Sequence, residues 1–237
     1  ARKAESDIIF VKAVEIELSV RQWFGFDDFH NVLQRIDEHL AKPFKRIDEN
    51  LAKPFKRTEM LLRIFKIKAL ASIYSNNKFK IDNNIDDGII NEMPVQWSKT
   101  DFLTLIDNEV DIITKVAIND LLTEAEIKMV SRFDAFDGVF PAKLSEKALI
   151  TVIEAIGSFS ASYQLSEEPF YVPLNQFIET FKNKNELHPA LLKAKYYALL
   201  LDRISDEHMI LKNWLDLQRL HDLFQIDEHF NKLKLYE

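Results

Sequence analysis

The chain contains no cysteine and only four glycines in 237 residues. Without cysteine there is no disulfide framework, no thiolate zinc site, no iron–sulfur cluster and no Cys nucleophile. The glycines stand singly at 25, 88, 138 and 157, which rules out a P-loop or a dinucleotide fingerprint, since both need several glycines within one turn. Repeated tight hairpins are disfavoured on the same ground. No apolar run approaches the roughly 20 residues that span a bilayer, and residues 1–7 carry no apolar stretch of the secretory kind. Ala1 in place of Met reads as a trimmed start, a processed chain or an excised fragment. With a net charge of −7, the expectation is a soluble, cytoplasmic protein without a cofactor, not one built to coat nucleic acid.

What is present suits a folded core. Apolar residues make up 47% of the chain and aromatics 11%, 18 of them Phe, enough to bury a sizeable interior and to exclude disorder of the whole. Helical spacing dominates. Ile9, Ala13, Ile16, Val20 and Trp23 recur at helical intervals after Ser6, although Val14, Ile16, Leu18 and Val20 also alternate as a strand would. Helix is the preferred reading, because no convincing partner strand appears.

Further helices are expected from Asp27 or Asp28 through Leu40, and from Thr58 through Ile73. Others follow Ser98 to about Leu122, with a capping box of Thr123 and Glu126 opening the next. Later candidates carry Leu149 to Ile156, Leu174 to Phe181, and Leu192 to Leu200 behind Pro189 as a first-turn residue. Ser205 caps a helix with Met209, Trp214, Leu217, Leu220 and Phe224 on its apolar face, and a short one ends the chain near Phe230. The expected fold is all-α, an irregular bundle of nine or ten helices with room for two subdomains. Periodicity lapses over 76–97, a loop or a boundary between an N-terminal part, 1–75, and a C-terminal bundle, 98–237.

Residues 35–45 are followed at once by a near copy, 46–56, in which only His39 and Asn50 differ. Eleven residues make almost three helical turns, so a second copy preserves the apolar face, with Ile36, Leu40 and Phe44 matched by Ile47, Leu51 and Phe55. Pro43 and Pro54 each remove a backbone donor, which predicts a kinked helix or two segments broken near the prolines. A tandem duplication tolerated by a helix explains the pattern; a lipid-binding amphipathic repeat is the alternative.

Charge is polarised around this repeat. Between Lys42 and Lys68 nine basic residues face three acidic ones, a local net of +6; between Asp82 and Asp137 thirteen acids face four bases, a net of −9. Lys42, Lys45, Arg46, Lys53, Lys56 and Arg57, with Phe44 and Phe55 for stacking, form a candidate surface for nucleic acid or anionic lipid. The plainer reading is two solvated faces that attract one another within the fold.

Motifs for chemistry are few. The segment Asp82-Asn83-Asn84-Ile85-Asp86-Asp87-Gly88 resembles the opening of a calcium loop, but Asp87 stands where glycine is needed and Met93 where a bidentate Glu is needed. No histidine pair has metal-ligand spacing, so no metal site is expected. Tyr171, Tyr196, Tyr197, Trp97 and Trp214 are aromatic enough to line a pocket, or to fill a core. Glu186 to Ile204 faintly resembles the helix before the active loop of Fic-type AMP transferases, whose downstream signature is absent. Arg203-Ile204-Ser205-Asp206-Glu207-His208 resembles the Arg-four-residues-His motif of HEPN-type ribonucleases, all-α proteins that commonly dimerise. That resemblance implies Arg203 as a phosphate-stabilising group and His208 as a proton-transfer or orienting residue. Ile204 replaces the polar residue usual after the Arg, and a helix start capped at Ser205 explains the same residues. The sequence therefore points first to a non-enzymatic helical protein that binds a protein partner, and second to a HEPN-like ribonuclease or a binder of RNA or anionic lipid.

Overall fold

In a computed structural model the chain is described at residues 13, 14, 16, 29–41, 56–84, 96–115, 144–157, 159, 172–204 and 209–224. These residues hold seven helices and no strand: α1 (Phe29–Ala41), α2 (Lys56–Ile81), α3 (Lys99–Lys115), α4 (Leu144–Ile156), α5 (Leu174–Phe181), α6 (Pro189–Arg203) and α7 (Met209–Phe224). The fold is all-α over this range. Ala13, Val14 and Ile16 are helical as well, with Val14 buried, which favours helix over strand there. The candidate helices near Glu126 and Phe230 lie outside the described residues.

The packing follows from which helices carry apolar side chains all round. From Ala148 to Ile156 every residue of α4 except Glu154 is buried, and a helix apolar around its circumference belongs in the interior. It lies between α2 and α6, both also buried over much of their length. The helices α1 and α3 pack on the α2 side of this row, and α5 and α7 on the α6 side. Residues from all seven join one buried cluster. Its aromatic centre is Tyr74, stacked on Phe159 with ring centroids 3.9 Å apart and edge-on to Phe102 at 5.9 Å. Trp97 leans on the same Phe102 at 5.2 Å, and three of the aromatics that stood out in the sequence, Trp97, the fully buried Tyr196 and Tyr197, belong to the buried core.

Helix starts match their local chemistry. At α3 the Ser98 backbone N–H and hydroxyl both donate to Asp101 Oδ2, at 2.6 and 2.8 Å, while the Asp101 N–H donates to Ser98 Oγ at 3.2 Å. That is a reciprocal cap, of a kind that stabilises by about 1 kcal/mol. Pro189 opens α6, and His188 before it is the N-cap, its Nδ1 accepting from the Ala190 N–H at 3.3 Å.

Two expectations shift. The helix α2 runs on to Ile81, into the stretch 76–97 whose periodicity lapses. Its last turns are held by Asn77 Nδ2 donating to the Ile73 carbonyl and by the buried Ile81. The apolar face of α7 is also rotated from the one expected. Leu215, Arg219 and Leu223 point inward, while Met209 and Leu217 are exposed. Of the duplication, Arg35 to Ala41 belong to α1 and Lys56 to α2, with Ile36 fully buried; 42–55, including both prolines, lie outside the described residues.

The cap at His188 has a consequence for pH. Burial holds the imidazole below its ordinary pKa, and the charge of Lys99 adds to this against the opposing pull of Glu186. Above the unfolded value of about 6.5 both states are neutral; below it the unfolded chain binds a proton that the folded one resists, so stability falls with falling pH. Urea unfolding between about pH 8 and 5 is expected to show this loss beginning near 6.5. Replacing His188→Asn, which keeps a capping acceptor, should flatten the slope relative to wild type. An unchanged slope would show that His188 does not titrate in folding.

Candidate functional site

The basic and acidic blocks meet inside the fold. Glu109, 6% exposed, accepts from Arg63 Nη1 at 2.6 Å and stands 2.9 Å from Lys66 Nζ. Arg63 also reaches Glu59 at 2.7 Å, and Lys66 donates to Asp37 at 2.6 Å. Burial works against both cations, but these hydrogen bonds and the carboxylate charges outweigh it, and both pKa values stand above the ordinary ones. Two of the nine bases in the block are thus spent on tying α2 to α1 and α3. Lys42, Phe44, Lys45, Arg46, Lys53 and Phe55 lie outside the described residues; Lys56 and Arg57 sit in the first turn of α2.

Arg203, the expected phosphate-binding group, ends α6 and donates from Nη2 to the Thr114 carbonyl at 2.7 Å. It caps the last turn of α3, where carbonyls lack helical partners. Desolvation lowers its pKa, against the fields of Glu146 and Asp202. His208 lies outside the described residues. In the calcium-like segment, Asp82 accepts from the Tyr74 hydroxyl at 2.6 Å and Asn84 Nδ2 donates to the Trp97 carbonyl at 2.8 Å; the rest, from Ile85, is not described. Among the described residues no cluster of three or more His, Asp or Glu is placed to hold a metal ion. No described helix is long and apolar enough to cross a membrane.

Two features at the α6–α7 end have chemical character. The first is a half-open cleft of about 150 Å³. It exists because α4 and α7 both pack on α6 but scarcely on each other. Ile150, Ile153, Leu200 and Leu215 make its apolar walls, and Trp214 adds an indole. Its polar groups converge on Asp222, whose Oδ2 accepts from the Tyr197 hydroxyl at 2.6 Å and lies 3.2 Å from Lys193 Nζ. Tyr197 is held well above its ordinary pKa by burial first, then by this bond and the charges of Asp222 and Glu154. Tyr197 and Trp214 stood out in the sequence as possible pocket residues; Glu154, Lys193 and Asp222 did not, since they lie on three helices and share no motif.

The second feature is the outer face of α7. Ile210 is 82% exposed and Leu217 61%. Their spacing of seven places them on one side of the helix, opposite Leu215, Arg219 and Leu223. The inner side is pinned by Arg219, 1% exposed, whose guanidinium lies 4.1 Å from the Phe177 ring centroid and whose Nε is 2.7 Å from Asp216. No model of a known protein family, no curated protein and no solved structure matches the chain.

Proposed function

We propose that the protein is a helical interaction module whose outer α7 face receives an amphipathic helix of a partner protein. The observation that carries this is the pair Ile210 and Leu217, exposed at a seven-residue interval on a helix whose opposite side is anchored in the core. Asn213, exposed, and Leu220, half-buried, each stand three residues after a member of that pair, so the stripe has the a/d spacing of a short coiled-coil seam. Large side chains scattered singly on a surface need no partner, but an aligned pair on one face presents two knobs in register for the holes of a second helix. Arg203 favours this reading over a nuclease, because its guanidinium is engaged with the Thr114 carbonyl.

The test is a double substitution, Ile210→Asp with Leu217→Asp. A partner recovered with the wild-type chain from its native source is purified and titrated against both forms. The variant, folded by circular dichroism, is expected to bind at least about tenfold more weakly. Equal binding would overturn the proposal. So would a sedimentation mass of two copies that falls to one in the variant, because the face would then serve self-association.

A further inference from the structure

The cleft between α4, α6 and α7 lies on the inner side of α7 and is independent of the outer stripe. Its volume of about 150 Å³ is that of an apolar cavity able to take a single benzene-sized ring. Ile150 and Ile153 of α4, Leu200 of α6 and Leu215 of α7 form its walls, with the Trp214 indole beside them. None of the four aliphatic residues is more than 7% exposed, so the cleft is let into the core and is not a patch on the surface. A water held against these walls would need two to four polar partners, which aliphatic side chains do not supply.

The polar groups at the edge of the cleft are committed within the protein. Asp222 Oδ2 accepts from the Tyr197 hydroxyl at 2.6 Å and lies 3.2 Å from Lys193 Nζ. Glu154, Asp222 and Trp214 are engaged in further interactions of their own. A charged ligand of either sign would therefore give up its hydration and find each polar group already occupied, a loss that burial makes expensive. A neutral ring has no such hydration to lose. It gains from every part of its apolar surface that the aliphatic walls withdraw from water.

We propose that this cleft binds a small neutral molecule built on one aromatic ring, with no charged group. The ring occupies the space among Ile150, Ile153, Leu200 and Leu215, beside the Trp214 indole, where an aromatic contact adds to the burial. Recognition of this kind rests on shape and on the absence of charge. It separates a neutral ring from a cation and from an anion of nearly equal size.

Toluene, benzylammonium and benzoate make the test, since they share the ring and differ in charge. Each is titrated into the full chain while the indole N–H resonance of Trp214, assigned by its loss in Trp214→Phe, is followed by NMR. Toluene is expected to give a saturable shift at an affinity at least about tenfold above that of either ion. Ile150→Phe and Ile153→Phe each put a ring of the protein's own into the same space, and should weaken toluene at least about tenfold. Each variant is checked by circular dichroism, and one that keeps its fold suffices. If neither folds, the comparison of the three ligands on the wild-type chain decides. The proposal is overturned if toluene gives no saturable shift up to its solubility, or if either ion binds as tightly. A folded filling variant that binds toluene as the wild type does would equally overturn it.

Discussion

Replacing Asp107→Ala is expected to cost about 3–5 kcal/mol of folding stability, the loss that follows when one partner of a buried ion pair is removed. Asp107 on α3 receives the Lys195 ammonium through both oxygens, at 2.8 and 3.0 Å, and accepts from the Tyr196 hydroxyl at 3.1 Å. Lys195 is only 4% exposed and Tyr196 fully buried. Without the carboxylate the ammonium retains Asp111 at 3.8 Å, a longer and far more exposed partner, and the hydroxyl loses its acceptor in the interior. For a chain of this size each kcal/mol moves Tm by roughly 2–4 °C, so the midpoint should fall by roughly 6–20 °C. The diagnostic control is Asp107→Ala with Lys195→Met. If the cost comes from a stranded charge rather than from lost packing, the double variant should regain more than half of it. A double variant no more stable than Asp107→Ala would assign the loss to packing instead.

That pair also shows where reading a sequence stops. Asp107 and Lys195 are 88 positions apart, and nothing in either neighbourhood names the other. What was legible is local. The bounds of α5 follow from Leu174, Phe177, Ile178 and Phe181, and the start of α6 from Pro189. The start of α3 follows from Ser98, which with Asp101 closes its own cap without help from the rest of the fold. The end of α2 was less legible, because Asn76, Asn77, Lys78 and Lys80 carry no apolar period, and the turn is held by Ile81 and by the bond from Tyr74 to Asp82.

The orientation of α7 failed for a different reason. Met209, Ile210, Trp214, Leu215, Leu217, Leu220 and Leu223 put apolar groups on every side of the helix, so periodicity alone leaves the buried face undetermined. The residue that decides it is Arg219, which a hydrophobic pattern counts as an outward position. Its long planar side chain is buried over Phe177 instead. The same ambiguity hid the candidate site. Once Leu215, Arg219 and Leu223 are placed inward, Ile210 and Leu217 turn outward, and Trp214 comes to the rim of the cleft with Tyr197 and Asp222.

The charge blocks are the case in which a pattern was visible but its use was not. A net of +6 beside a net of −9 reads equally as a surface for phosphates or as two halves of one interior contact. Glu109 separates the two uses, because it belongs to the acidic block and binds Arg63 and Lys66 of the basic one. Glu109→Ala is expected to destabilise the protein by about 3 kcal/mol in urea unfolding, at the lower end for a broken buried network. Glu59 and Asp37 remain to share the two cations, which is why the loss is not larger. Salt decides the physical origin. An attraction across open solvent is screened within about 3 Å at 1 M ionic strength, whereas a contact sealed from water is not. With the Glu109 side chain 7% exposed and Arg63 and Lys66 at 15% and 12%, most of the loss should survive in 1 M sodium chloride. A cost below about 1 kcal/mol, the range of exposed pairs, or one halved by salt, would return these residues to the surface. The basic block would then regain two charges for an anionic partner.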